Sequence, residues 1–143
     1  MKLTTLGCWG AYPYKDGGTT SYLVTSEDGF QLLMDCGSRA VTELEKEISP
    51  LDLDAVIISH YHPDHVADLG VLRHYFQLYP KHLWEPKILP IYGHTEDEQE
   101  FAKLTLDGVS QGKAYDVNGV EKIGPFDITF IKTVHPVPCY AFR

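Results

Sequence analysis

Residues 59–70 read SHYHPDHVADLG, placing His60, His62, Asp64 and His65 within six positions, directly after the apolar run AVIIS. Left without a common partner, four such side chains would be crowded polar groups at a desolvation cost. His60 and His62 are two residues apart, so in extended chain they point to the same side, where both imidazoles can grip one ion at ~2.0–2.1 Å. Pro63 turns the chain toward a following helix, so Asp64 and His65 can face a second ion beside the first. Histidine and carboxylate without thiolate suit a catalytic zinc with an open position better than a closed structural site. Ser59, Cys36 and Cys139 carry no elbow or paired-base signature of a nucleophilic hydrolase. His74, His82 and His94 read as surface or satisfied core histidines.

The elements that must position this cluster alternate between strand and helix, which predicts an α/β fold. Met1–Leu6, Thr19–Thr25 and Phe30–Met34 read as strands, the last two joined by a hairpin at Glu27-Asp28-Gly29. Ser38 is placed to cap a helix running to about Ile48, ended by Pro50. Ala55–Ser59 is a short strand apolar on both faces. Val66–Tyr79 reads as one helix with Val66, Leu69, Leu72, Phe76 and Tyr79 on one side and Val71, Tyr75 and Leu78 extending that surface. Such a surplus predicts a contact with a further subunit or domain. Lys87–Tyr92 reads as a strand, Thr95–Glu98 as a capping box opening a helix to about Leu106, and Lys113–Val117 and Ile128–Thr133 as strands with Gly124-Pro125 turning between them.

The 143 residues carry a net charge of -8, which repels nucleic-acid phosphate at long range unless a local patch or bound cation intervenes. Three cysteines, Cys8, Cys36 and Cys139, make no CxxC pair and read as small buried residues of a reducing compartment. With no signal peptide or membrane-spanning stretch, the sequence reads as soluble and cytoplasmic. A single domain over 1–143 is the expectation.

The segment from His60 to His65 matches the HxHxDH signature of the metallo-β-lactamase superfamily. Leu6-Gly7-Cys8-Trp9-Gly10-Ala11-Tyr12-Pro13 resembles the glycine-rich turn of its ribonuclease Z branch. Leu32–Gly37 is similar to the superfamily's aspartate-and-glycine turn, and Pro90–Gly93 to its next strand. Thr133-Val134-His135-Pro136, continuing through Tyr140–Arg143, resembles the segment carrying the third histidine of the first metal site. The resemblance implies a four-layer αβ/βα sandwich of two similar halves, of which this chain covers the N-terminal half. It assigns His60, His62 and His135 to a first metal, Asp64 and His65 to a second, and to Asp35 the bracing of the histidine loop. The structural alternatives are that Asp35 caps the helix at Ser38 and that His135 is a strand-end residue. Two zinc ions are implied, with manganese or iron as alternatives. The bridging aspartate, the last histidine and the leaving-group acid belong to the half that this sequence does not contain.

The function so implied is a zinc phosphodiesterase resembling ribonuclease Z, in which metal-bound hydroxide attacks phosphorus with Asp64 in a catalytic role. Phosphodiesters, RNA among them, are the expected substrates. The expected association is a homodimer or a complex with the missing half, with no membrane partner. Hydrolysis of lactones, thioesters or β-lactams is the rival chemistry, and a non-catalytic metal-binding half-domain the rival class.

Overall fold

The computed structural model describes residues 1–80 and 82–143. In chain order its elements are β1 (Lys2–Trp9), β2 (Gly18–Thr19), β3 (Ser21–Thr25), β4 (Gln31–Met34), α1 (Ala40–Leu44), a 3-10 turn (Pro50–Asp52) and β5 (Ala55–Ile57). Then come α2 (Pro63–Val66), α3 (Leu69–Leu78), β6 (Leu89–Gly93), α4 (Glu98–Ala102) and β7 (Ser110–Ala114). The chain closes with β8 (Glu121–Ile123), β9 (Phe126–Ile128), β10 (Phe130–Lys132) and β11 (Tyr140–Phe142).

Seven strands form one sheet in the order β2-β1-β3-β4-β5-β6-β7. β1, β3 and β4 pair antiparallel, as the Glu27-Asp28-Gly29 hairpin requires, and β4 through β7 pair parallel. Parallel neighbours need crossover connections, and α1, the α2–α3 pair and α4 supply them. Period-2 alternation splits the sheet's apolar residues between two clusters. Leu33, Val56, Ile58, Leu89 and Ile91 pack with Leu44, Leu72 and Phe76 of the helices. On the opposite face Leu32, Ala55, Ile57 and Tyr92 meet Tyr115, Ile123, Ile128 and Tyr140 around the β8–β9 and β10–β11 ribbons. β5 is buried along its whole length because it feeds both clusters. This is the mixed α/β layering expected of a half sandwich. On the ribbon side an apolar groove of about 350 Å³ lies open between Val24, Leu32, Met34, Ile57, Phe126 and Phe142, and no histidine lines it.

Several boundaries differ from the sequence reading. Ser38 caps nothing: its N–H donates to Thr19 Oγ1 at 2.6 Å and its carbonyl accepts from Thr19 N. Arg39, at φ 71°, precedes α1, and the orphan N–H of Val41 donates to Asp68 Oδ2 at 3.1 Å. The expected helix from Val66 to Tyr79 is two helices. Asp68 stands between them, and its N–H donates to the Cys36 carbonyl instead of to its own helix. In α3 Leu69, Leu72 and Phe76 are buried as expected and Tyr75 packs on the core, while Val71 and Leu78 remain 54% and 72% exposed. α4 is capped by Asp97 and not by Thr95, because the Asp97 side chain accepts from Glu100 N at 3.0 Å. Ile128–Thr133 is divided at Thr129, whose N–H leaves the ribbon to reach the Arg143 carbonyl. Of the three cysteines only Cys36 is buried; Cys8 is exposed and Cys139 intermediate, and all are free thiols. No described helix is long and apolar enough to cross a membrane.

Candidate metal centre

β5 delivers the histidine loop to the sheet's carboxyl edge. Ile58 still donates to the Tyr92 carbonyl, so the chain leaves the sheet only at Ser59. His62, at φ -64° and ψ 147°, has the extended conformation favoured before proline, and Pro63 occupies the first position of α2, where its missing N–H costs nothing. One helical turn then presents Asp64 and His65. The loop is held from below by the Asp35-Cys36-Gly37 turn, where Cys36 N donates to the His65 carbonyl at 2.8 Å. Gly37 is needed there: a Cβ would stand 2.2 Å from the Asp64 carbonyl oxygen and 2.3 Å from Thr19 Oγ1.

His60 and His62 converge as their spacing requires, with His60 Nε2 and His62 Nδ1 3.1 Å apart. His135 comes from the loop between β10 and β11 and places Nε2 3.0 Å from the same His62 nitrogen. One ligand atom from each of the three lies within 4.8 Å of the others. A neutral ring nitrogen is either donor or acceptor, so three that face one another cannot all be satisfied mutually. Lone pairs directed at a common cation satisfy all three. Nitrogens ~2.0–2.1 Å from one tetrahedral ion would lie ~3.3 Å apart, within a few tenths of an ångström of the separations here. The donor set therefore fits a divalent metal. His60 is 3% exposed, and burial first, then its histidine neighbours, push its pKa down to about 4, which keeps the imidazole uncharged near neutral pH. His135 is exposed, so the cluster opens to solvent on one side.

Asp64 and His65 form a separate pair. Asp64 Oδ2 accepts from Ala11 N at 2.8 Å and lies 3.6 Å from His65 Nε2. Burial raises the Asp64 pKa, but the Ala11 N–H and the adjacent His65 outweigh it and hold the carboxyl below its usual range. For His65 burial works downward, yet the hydrogen bond and charge of Asp35 win and its pKa is raised. Among the described residues the structure does not bring these two into the three-histidine group.

Asp35 is buried and does not cap a helix. Its Oδ1 accepts from Ser59 N and its Oδ2 from Ser59 Oγ, both at 2.8 Å, and His65 Nδ1 lies 2.7 Å from Oδ2. Sequence reasoning weighed Ser59 only as a nucleophile and missed its place beside Asp35 and His60. Its hydroxyl gives its one proton to Asp35 and faces His60 Nδ1 at 3.0 Å, so it accepts from a protonated Nδ1. Through Asp35, directly or by way of Ser59, His60 and the neutral form of His65 are thus protonated on Nδ1, leaving Nε2 with its lone pair. Cys139 Sγ is 3.5 Å from the same His60 nitrogen. Position next to His60 was the one available hint of Ser59's role; the Ala11 N–H gave none.

Comparison with known proteins follows the same residues. Residues 14–141 match the family model described as the metallo-beta-lactamase superfamily. Over 143 residues the chain is 44% identical to the "Probable metallo-hydrolase YhfI" of Bacillus subtilis, covering 100% of this chain and 58% of that protein. The crystal structure of YhfI, a metallo-beta-lactamase fold protein, matches with a TM-score of 0.92 at 43% identity over 99% of this chain and 57% of that one. Ribonuclease Z of Methanopyrus kandleri is 29% identical over 139 residues, 96% of this chain and 48% of the relative. Human tRNase Z, short form, shares the fold, with a TM-score of 0.73 at 19% identity over 99% of this chain and 62% of that chain. The chain spans about half the length of the curated relatives it matches.

Proposed function

Because the chain belongs to the metallo-beta-lactamase superfamily, we propose that it forms part of a divalent-metal-dependent hydrolase that cleaves a phosphodiester, with His60, His62 and His135 holding the catalytic ion. The observation that carries this reading is the convergence of three imidazole nitrogens on one point at an open edge of the sheet. Zinc is the ion the donors favour, since they are imidazole and carboxylate without thiolate. Such an ion supplies a Lewis acid that offsets charge on phosphate oxygens and brings the pKa of water to ~7.

The chain's own groups do part of the rest. Asp64, kept ionised and anchored by the Ala11 N–H, orients the attacking water. Asp35 and Ser59 keep the histidine tautomers fixed. Asp64 and His65 are two ligands for a second ion, whose remaining ligands, and the acid that protonates the leaving oxygen, lie outside these 143 residues. The likeness to ribonuclease Z supports a phosphodiester over a β-lactam or thioester, and RNA is one such substrate. The reaction belongs to the cytoplasm, where Cys8, Cys36 and Cys139 stay reduced. Hydrolysis of bis(p-nitrophenyl) phosphate by the metal-loaded protein completed with the other half of the fold, abolished by Asp64→Ala with the fold intact, is the expected result. Cleavage of thioesters or lactones with the phosphodiester untouched would contradict it.

A further inference from the structure

His94 is 1% exposed, yet neither of its ring nitrogens has a hydrogen-bond partner among the described residues. The Pro138 carbonyl faces the ring without reaching hydrogen-bond geometry. Buried imidazoles are ordinarily paired, so an unpaired one needs a reason. It is also held firmly. Tyr61 packs its ring 4.6 Å from the imidazole and donates its hydroxyl to the His94 carbonyl at 2.6 Å, and Tyr140 closes the other side at 5.7 Å. The imidazole lines a cavity of about 180 Å³ whose wall includes His62 of the metal cluster. That volume exceeds the ~30 Å³ share of one water several-fold. It falls short of the ~300 Å³ at which whole small-molecule sites begin, so the space suits one substituent of a larger ligand.

The remaining wall defines the chemistry of that substituent. Asp97 and Glu100 contribute carboxylates. Asp97 commits Oδ1 to its helix cap and Glu100 commits Oε1 to Lys103, which leaves the second oxygen of each without a hydrogen bond among the described residues. Val137 and Pro138, from the loop that carries His135, form an apolar side. A surface with two carboxylates repels phosphate and accepts from N–H donors. Burial holds the His94 pKa low, which favours the uncharged ring.

Resting on the hydrolase reading, we propose that this cavity is a substrate subsite for an amino-bearing group, with His94 and Asp97 as its recognition residues while the phosphate lies at the three histidines. The shared chemistry is an N–H donor a short reach from phosphorus, whether an aliphatic ammonium or the exocyclic amine of a nucleobase.

The test is equilibrium binding, by calorimetry on the zinc-loaded protein, of two matched pairs: 2-aminoethylphosphonate against propylphosphonate, and cytidine 5'-monophosphate against uridine 5'-monophosphate. The amino member of one pair is expected to bind roughly tenfold tighter or better, because a site that pairs with an N–H discriminates strongly against its absence. The pair that shows the preference identifies the source of the amine. Asp97→Asn, which retains the helix cap, and His94→Phe should each bring that preference close to unity, and the surface position of Asp97 keeps the test usable if His94→Phe does not fold. Equal affinity within both pairs, or a preference that survives both substitutions, overturns the subsite and leaves a cavity filled by water. Failure of all four ligands to bind in a zinc-dependent way overturns the hydrolase reading and takes the subsite with it.

Discussion

Asp35→Asn changes one atom of the histidine loop's support and should move two protons. Asparagine tolerates the left-handed backbone that Asp35 adopts at φ 57°, so the turn is kept. Its amide oxygen can still accept from Ser59 N. The amide nitrogen, however, replaces an oxygen that accepts from Ser59 Oγ and lies 2.7 Å from His65 Nδ1. That nitrogen only donates, so Ser59 must turn its own proton toward His60 Nδ1, and His65 Nδ1 must become an acceptor. Both rings then carry their proton on Nε2, the nitrogen that His60 directs at the cluster. Two hydrogen bonds to a charged acceptor, worth ~1.5–3 kcal/mol each, become neutral ones worth ~0.5–1.5. The metal-free protein should therefore lose about 1–3 kcal/mol in urea unfolding. Zinc affinity, read by titration against a chelating dye, should fall ~10–100-fold, the usual cost of disturbing a ligand's hydrogen-bond partner. A folded Asp35→Asn protein with unchanged zinc affinity would refute the tautomer assignment.

Gly37→Ala should cost about 1–3 kcal/mol in thermal unfolding and weaken zinc retention, because the new methyl displaces the Asp64 backbone; an unshifted melting curve would show that the turn does not clamp the loop. For the metal-free protein the two shifted histidines act in different pH windows. His60, with its folded pKa lowered to about 4 from 6.5, contributes stability that is present above 6.5 and lost as pH falls toward 4. His65, with its pKa raised, contributes stability that is full below 6.5 and lost as pH rises through its folded value. Urea unfolding should thus show His60→Gln flattening the acid limb alone, and loss of the alkaline limb in that variant would contradict the assignment. If the exposed Val71 and Leu78 of α3 serve a contact between copies, Leu78→Glu should lower the mass seen by light scattering at high concentration, and an identical mass for parent and variant would exclude that face.

The strand that carries the site was legible because Ala55–Ser59 is a short run apolar on both faces, as a covered strand requires, of which Ala55–Ile57 forms β5, and because Pro63 after His62 marks a helix start. The convergence of His60 with His62 followed from residue spacing alone. What escaped was set by groups far apart in sequence. Asp68 looks like one more polar residue inside a long helix, yet its carboxylate caps α1 and its N–H serves the Cys36 carbonyl, and those two bonds divide α2 from α3. Ser38 has the composition of a cap, but Thr19 takes its N–H. His94 reads as a satisfied core histidine until α4 and the loop of His135 are in place, and only then does its lack of a partner become visible. His135 itself carries no local signal; it was found through resemblance, and the fold accounts for it by returning the β10–β11 loop to the end of β5.

The claim that His60, His62 and His135 hold a catalytic ion is tested most directly by counting metal per chain. Protein purified without chelator and dialysed against metal-free buffer should retain at least one zinc or similar divalent ion per chain by plasma mass spectrometry, and His62→Ala, which removes the nitrogen facing both other rings, should lose most of it. A parent protein that contains no metal and takes up none when zinc is added, or a His62→Ala protein that keeps its full complement, would contradict the account.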